Sequence, residues 1–179
     1  MERSLFTEMI QPDGRLTLPM VALLHHAFSF DRESLTSSVW MKYDSQLSTK
    51  LWAQLTGIPQ KSVAAVMGNI VVHDGSAKRS DMDWFRLIVH EQTHRHQIAI
   101  MGAMPFYVGY LKEAALKPYK DISFEQEAFS LGADSAGKDK ALQLWRFRQY
   151  SVREILGSLI SVSEKVAVLT ELGKAFRIA

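Results

Sequence analysis

The sequence contains no cysteine. That single absence excludes both a disulfide framework and a thiolate metal site, so any transition metal would have to be held by histidine and carboxylate. Long apolar runs are missing as well. No stretch approaches the roughly 20 apolar residues of a membrane-spanning helix. The N-terminal MERSLFTEMIQPDGRL lacks the basic start and the apolar run of roughly 7 to 15 residues that make a secretory signal. A soluble cytoplasmic protein is therefore expected, and a mature exported chain cut from its signal would read the same way. Nor is there an excess charge of one sign. The 21 Lys and Arg against 19 Asp and Glu leave a formal charge of +2, a balance that makes neither nucleic acid nor an anionic membrane the main partner.

What is present suits one folded domain over residues 1–179, with 47% apolar residues to build a core. Glycine and proline are scattered as punctuation, without a linker, internal repeat or low-complexity tract. Pro19 can open a helix through LPMVALLHHAF, and SQLSTKLWAQLTG places Leu47, Leu51 and Leu55 at helical spacing before Gly57 and Pro59. SVAAVMGNIVVHDG is rich in β-branched residues and predicts one or two short strands closing on a turn at Asp74-Gly75, the only β segment expected. Ser80 then reads as the N-cap of a helix that Trp84, Leu87, Ile88, Ile98 and Met101 carry to Gly102. Further helices are expected in FYVGYLKEAALK between Pro105 and Pro118, from a Ser123-x-x-Gln126 capping box to Gly137, over residues 139–156, and over residues 163–172. The expected class is α+β, predominantly helical, with a central helix packed beside a short β segment and further helices toward the C-terminus.

The central helix contains LIVHEQTHRHQ, residues 87–97. Four helical residues rotate the chain by about 400° and advance it about 6 Å, so His90 and His94 lie about 40° apart on one face, and both imidazoles can reach one ion. Catalytic zinc takes three protein ligands and leaves a fourth position to water. Glu91, about 100° round the helix from His90, is poorly placed as a ligand but can act on that water as general base. At this chain's own frequencies of His and Glu, HExxH should arise by chance only about 0.01 times in the sequence. Coincidence is therefore a poor account of it.

Carried by this helix and by residues 68–136 around it, the chain resembles the gluzincin zinc metallopeptidases, as a small, minigluzincin-like domain of zincin-like fold. The resemblance implies hydrolysis of peptide bonds and a third zinc ligand from a glutamate on a later helix, often set as E-x-x-A or E-x-x-x-D. FEQEAF supplies Glu125 followed by Ala128. Glu125 shares its helix face with Ala128, Phe129 and Gly132, a small apolar stripe suited to pressing on the HEQTH helix, whereas Glu127 falls with Leu131 and Asp134. Glu125 is thus favoured over Glu127. The chain departs from the thermolysin-like pattern at Phe129, where an aspartate would support a ligand histidine, so another carboxylate or carbonyl must accept that second N–H. VHEQTHRHQ also resembles the VHE-x-TH-x-x-Q helices of small bacterial metallopeptidase-like domains.

The resemblance further implies that the strand before the central helix, here GNIVVH, lines a cleft and pairs with an extended peptide or protein substrate; an ordinary buried strand fits the residues equally well. Tyr107, Tyr110 and Tyr119 are candidates to donate to a developing oxyanion, and Tyr119 ranks first because it immediately precedes the Glu125 helix. His25, His26, His73 and His96 read as structural or surface residues. The function expected is that of a zinc-dependent metallopeptidase in which His90, His94 and Glu125 bind Zn2+ and Glu91 activates water. The alternative is an inactive module of the same fold that binds proteins.

Overall fold

A computed structural model describes residues 4–43, 64–74, 78–132, 139–147 and 151–179. The expected helix around Leu51 and the glycines at positions 75 and 137 lie outside the described residues.

The chain begins with a short helix α1 (Phe6–Met9), then α2 (Leu18–Phe28) and α3 (Arg32–Ser37). Pro19 lies in the first turn of α2, where its missing N–H leaves no bond unmade, and Ser29 ends the helix in a left-handed conformation with φ of 61°. Three strands follow: β1 (Val39–Tyr43), β2 (Ala64–Met67) and β3 (Ile70–Asp74), in the spatial order β1-β3-β2. β2 and β3 form an antiparallel hairpin through Gly68 and Asn69, and Gly68 takes the positive φ of 60° that so tight a turn favours. β1 pairs with β3 in parallel, with Trp40 opposite Val71 on the buried face. This strand was not expected, because parallel pairing is a non-local choice that SVWMKY does not announce.

Next comes α4 (Asp81–Met101), 21 residues and about 30 Å long. Ser80 caps it in a box with Asp83, and Asp81 and Asp83 complement the positive end of the helix dipole. It is flanked by α5 (Ala103–Ala114), a 3-10 turn at Tyr119–Asp121, α6 (Ser123–Leu131) and α7 (Lys140–Trp145); α8 (Val152–Gly157) and α9 (Val162–Ile178) complete the chain. The architecture is α+β and mainly helical. Phe85, Ile88 and Val89 of α4 join Met9, Met20, Leu23, Leu24 and Phe30 in the core, and α9 lies along α2 where Gly173 lets the two backbones approach closely. No helix among the described residues is long and apolar enough to cross a membrane.

Two expected helices take other forms. Residues 139–156 make α7 and α8 in place of one continuous helix: Arg146 ends the first, and Ser151 opens the second in its own capping box with Glu154. Nor does Ser123 cap α6. Its hydroxyl and its N–H both donate to the Glu113 carboxylate of α5, each at 2.7 Å, and Gln126 N–H goes to the Ile122 carbonyl. Those two bonds from Ser123, with Lys117 at 2.9 Å, hold the Glu113 carboxyl down at about 2. A carboxylate from a neighbouring helix thus does the work that local spacing assigned to Gln126, and in doing so ties α5 to the start of α6.

Candidate metal centre

Buried polar side chains are the unusual feature of α4. From Phe85 to Ile98 almost every residue is buried, including Glu91, Gln92, Thr93, Arg95 and Gln97 as well as both histidines of HEQTH. Burial of this many hydrogen-bonding groups is tolerable only with partners. Most can be traced: Thr93 donates to the Val89 carbonyl at 2.8 Å, Gln92 donates to the Ser38 hydroxyl at 3.1 Å, and Arg95 reaches the Gly68 carbonyl, the Ser34 carbonyl and the Ser37 hydroxyl. Arg95 therefore fastens the hairpin turn and α3 onto α4.

His90 and His94 stand one turn apart, their rings 5.0 Å between centroids and nearly perpendicular. Opposite them is Glu125, only 3% exposed. It arrives there because α6 packs on α4, with the closest approach at Gly132 just beyond its end. A Cβ built on Gly132 would stand 2.5 Å from the Arg86 carbonyl oxygen and 3.0 Å from the backbone nitrogen of His90, so any side chain there would push the helices apart. His90 Nε2 lies 3.3 Å from Glu125 Oε2, and His94 Nε2 lies 3.4 Å from Glu125 Oε1. One ligand atom from each residue falls within 4.8 Å of the other two. Glu127, by contrast, is exposed and accepts a hydrogen bond from Gln97.

Both imidazoles turn Nε2 inward, and each outer nitrogen has its own partner. His90 Nδ1 faces the Gly132 carbonyl at 3.2 Å, and His94 Nδ1 faces Gln97 Oε1 at 2.9 Å. The carbonyl that the absent aspartate at position 129 called for is therefore that of Gly132. Phe129 itself packs its ring 4.9 Å from that of His90.

Does this set of residues suit a cation? The donors are two imidazole nitrogens and one carboxylate, the His2Glu set that suits zinc with a fourth position open. Glu125 Oε2 is buried and has no hydrogen-bond donor aligned on it among the described residues, while Oε1 accepts from the Tyr110 hydroxyl at 2.7 Å. A buried, under-satisfied carboxylate oxygen facing two imidazole nitrogens is what a shared positive ion would compensate. The residues fit a divalent metal ion.

The electrostatics agree. Burial works to lower the His94 pKa, yet the hydrogen bond and charge of Glu125, helped by Glu91, raise it to about 9. Burial likewise works to raise Glu125, and the two histidines overcome it, holding the carboxyl well below the usual range. Without a metal, a proton on His94 balances the Glu125 charge. Because the folded pKa lies above the ordinary 6.5, that proton's contribution to stability is full below about 6.5 and lost as pH rises through about 9. A metal ion competes for the same nitrogen. Metal binding at pH 7 is expected to release the His94 proton, a contribution that falls away as pH rises above about 9. Calorimetric titration in buffers of differing ionisation enthalpy measures this directly; release of no protons at pH 7 would contradict the His94–Glu125 coupling.

Glu91 is buried beside the cluster without adding a ligand atom to it. Its carboxyl is pushed up by burial and by Glu125, against the opposing pull of His90 and His94. The tyrosines divide in an unexpected way. Tyr110 donates to Glu125 Oε1 at 2.7 Å. Tyr119 is partly buried against Phe129, with ring centroids 5.9 Å apart, and burial together with the Glu125 charge drives its pKa upward. Tyr107 belongs to the hairpin, accepting from Gly68 N–H at 2.8 Å. His25, His26, His73 and His96 stand apart from the cluster. His25 Nδ1 pairs with the Phe30 carbonyl, and His73 is buried among Phe6, Trp40 and Trp84.

The place expected for GNIVVH as a cleft-lining strand is not the one it takes. β3 is the central strand of the described sheet, hydrogen-bonded to β1 on one side and β2 on the other. It has no free edge to offer an extended peptide.

Position along the chain favours Tyr119 over Tyr110 and gives Gln97 no role. The only sequence signal for Gln97 was its position three residues after His94 in VHEQTHRHQ, the spacing at which helical side chains meet.

The chain matches no family model, no curated protein and no solved structure.

Proposed function

We propose that this chain is a zinc-dependent peptidase. The observation that carries the reading is the convergence of His90, His94 and Glu125 within 4.8 Å, with Glu91 buried next to them. Zinc is the metal that fits best, because two imidazoles and a carboxylate suit it and the chain offers no thiolate. When bound, such an ion supplies Lewis acidity and makes water a competent nucleophile at neutral pH.

The remaining chemistry belongs to the protein's own side chains. Glu91, made more basic by burial, accepts the proton of the attacking water and returns it to the leaving amine as the C–N bond breaks. Tyr119, whose raised pKa keeps its phenol protonated, is the donor assigned to the oxyanion. Tyr110 holds Glu125 in place and does not take part in proton transfer.

Metal analysis of the purified chain is expected to give close to one zinc per chain, with hydrolysis of an unfolded protein substrate that stops on chelation and returns with zinc. Cleavage indifferent to chelator, or a chain that retains no metal, would overturn the reading. One observation favours a second reading, a metal-holding module without hydrolysis. His90, His94, Glu91 and Glu125 are each no more than 6% exposed, which leaves a substrate carbonyl little room to approach. Stoichiometric zinc without cleavage would decide for that module.

A further inference from the structure

The two ligand histidines are supported in different ways. His90 leans on a backbone carbonyl, that of Gly132, which no substitution removes. His94 leans on a side chain, Gln97, whose Oε1 lies 2.9 Å from its Nδ1. Gln97 is 6% exposed and in turn donates twice through Nε2, to the Phe124 carbonyl at 3.1 Å and to Glu127 Oε2 at 2.8 Å.

Amide oxygen and nitrogen are distinguished by their partners. Phe124 offers a carbonyl and Glu127 a carboxylate, and both only accept. The Gln97 nitrogen must therefore face them, which turns its oxygen toward His94. An oxygen there can only accept, so His94 Nδ1 must carry a hydrogen. With Nδ1 protonated, the lone pair of the neutral ring sits on Nε2, the nitrogen 3.4 Å from Glu125. The geometry thus fixes both the rotation of the ring and the nitrogen it presents.

The chain of bonds also crosses between the two helices that supply the ligands. His94 and Gln97 are on α4; Phe124 and Glu127 flank Glu125 on α6. One amide therefore sets the His94 tautomer and anchors α4 to α6 at the turn that carries the third ligand. Glu127, set aside as a ligand because it is exposed, is the outer end of this relay.

We propose that Gln97, oriented by Glu127 and the Phe124 carbonyl, is a positioning residue that sets His94 Nε2 as the metal-facing nitrogen. This rests on the reading of His90, His94 and Glu125 as a metal centre. Supporting residues of this kind change metal affinity by a factor of about 10 to 100.

The test uses cobalt(II) as the probe, titrated into the full chain and followed by its visible absorption. Wild-type protein is expected to bind one ion. Gln97→Ala is expected to bind on the order of 10- to 100-fold more weakly while its far-ultraviolet circular dichroism stays unchanged. Gln97→Glu alone sets two carboxylates against each other and should also weaken binding. Combined with Glu127→Gln, the donor and acceptor exchange places, an amide at 127 donating to a carboxylate at 97 that still accepts from His94. The pair removes the clash with position 127 but leaves the carboxylate oxygen facing the Phe124 carbonyl, so it is expected to recover part of the affinity that Gln97→Glu loses. A purely packing role for Gln97 predicts no such rescue. In the zinc-loaded protein, nitrogen-15 spectra should show His94 protonated at Nδ1, with that proton exchanging faster with water in Gln97→Ala.

Wild-type affinity in Gln97→Ala with an unchanged Nδ1–H signal would overturn the relay. So would a paired variant no better than Gln97→Glu. If Gln97→Ala fails to fold, the paired substitution decides. A folded wild type that takes up no cobalt or zinc would instead remove the metal centre itself, a result separable from failure of the relay.

Discussion

Alanine at position 94 is expected to abolish metal retention, with binding weakened by well over 100-fold and any hydrolysis lost with it. The loss exceeds the roughly 10- to 100-fold that an outer supporting group contributes, because in the proposed centre His94 donates directly to the ion, and without it two protein ligands remain where a catalytic zinc site uses three. The substitution also removes the main counter-charge of Glu125. That carboxylate is 3% exposed and is held ionised by His90 and His94 against its own burial. Breaking a buried pair by deleting one partner costs about 3 to 5 kcal/mol, so the metal-free His94→Ala chain should also melt at a lower temperature. His96→Ala is the matched control. His96 is on the same helix but faces Phe30 and the Asp31 N–H, and its loss should leave metal content unchanged. Metal content after dialysis, read beside a thermal melt, separates the two consequences. A folded His94→Ala chain that retains a full equivalent of zinc would remove His94 from the ligand set.

Glu91→Gln should separate metal binding from chemistry. The amide has the shape of the carboxylate it replaces, and a neutral group is easier to bury at a position where burial already pushes the carboxyl upward. Folding and metal content should therefore match wild type. Hydrolysis should fall by a factor on the order of 10² or more, since an amide cannot accept the proton of the attacking water. Single-turnover rates at matched zinc loading are the measurement. Equal rates would remove Glu91 as the general base, and the proposed mechanism with it. A fall in metal content instead would mean that Glu91 contributes to holding the ion.

Local rules determined much of this protein. The capped start of α4 at Ser80 and its end at Gly102 follow from neighbouring residues alone, as does the helix opened by Pro19. The one-face placement of His90 and His94 follows from helical rotation, and the small residues on the Glu125 side of α6 marked which of its two glutamates could turn inward. Each depends on atoms within a turn or two along the chain. Tertiary structure decided what depends on contact between distant segments. Val39–Tyr43 became a strand only because β3 was there to pair with it. Glu113, ten residues before Ser123, took over the capping of α6. Tyr110 reached Glu125 with a direct bond because the face a helix turns inward depends on what it packs against. The Glu127–Gln97–His94 chain was hidden for the same reason: a hydrogen bond between two helices depends on their rotation and separation. Here those are set by the glycine at 132 that lets α6 lie against α4, and one sequence position does not reveal which helix it will meet.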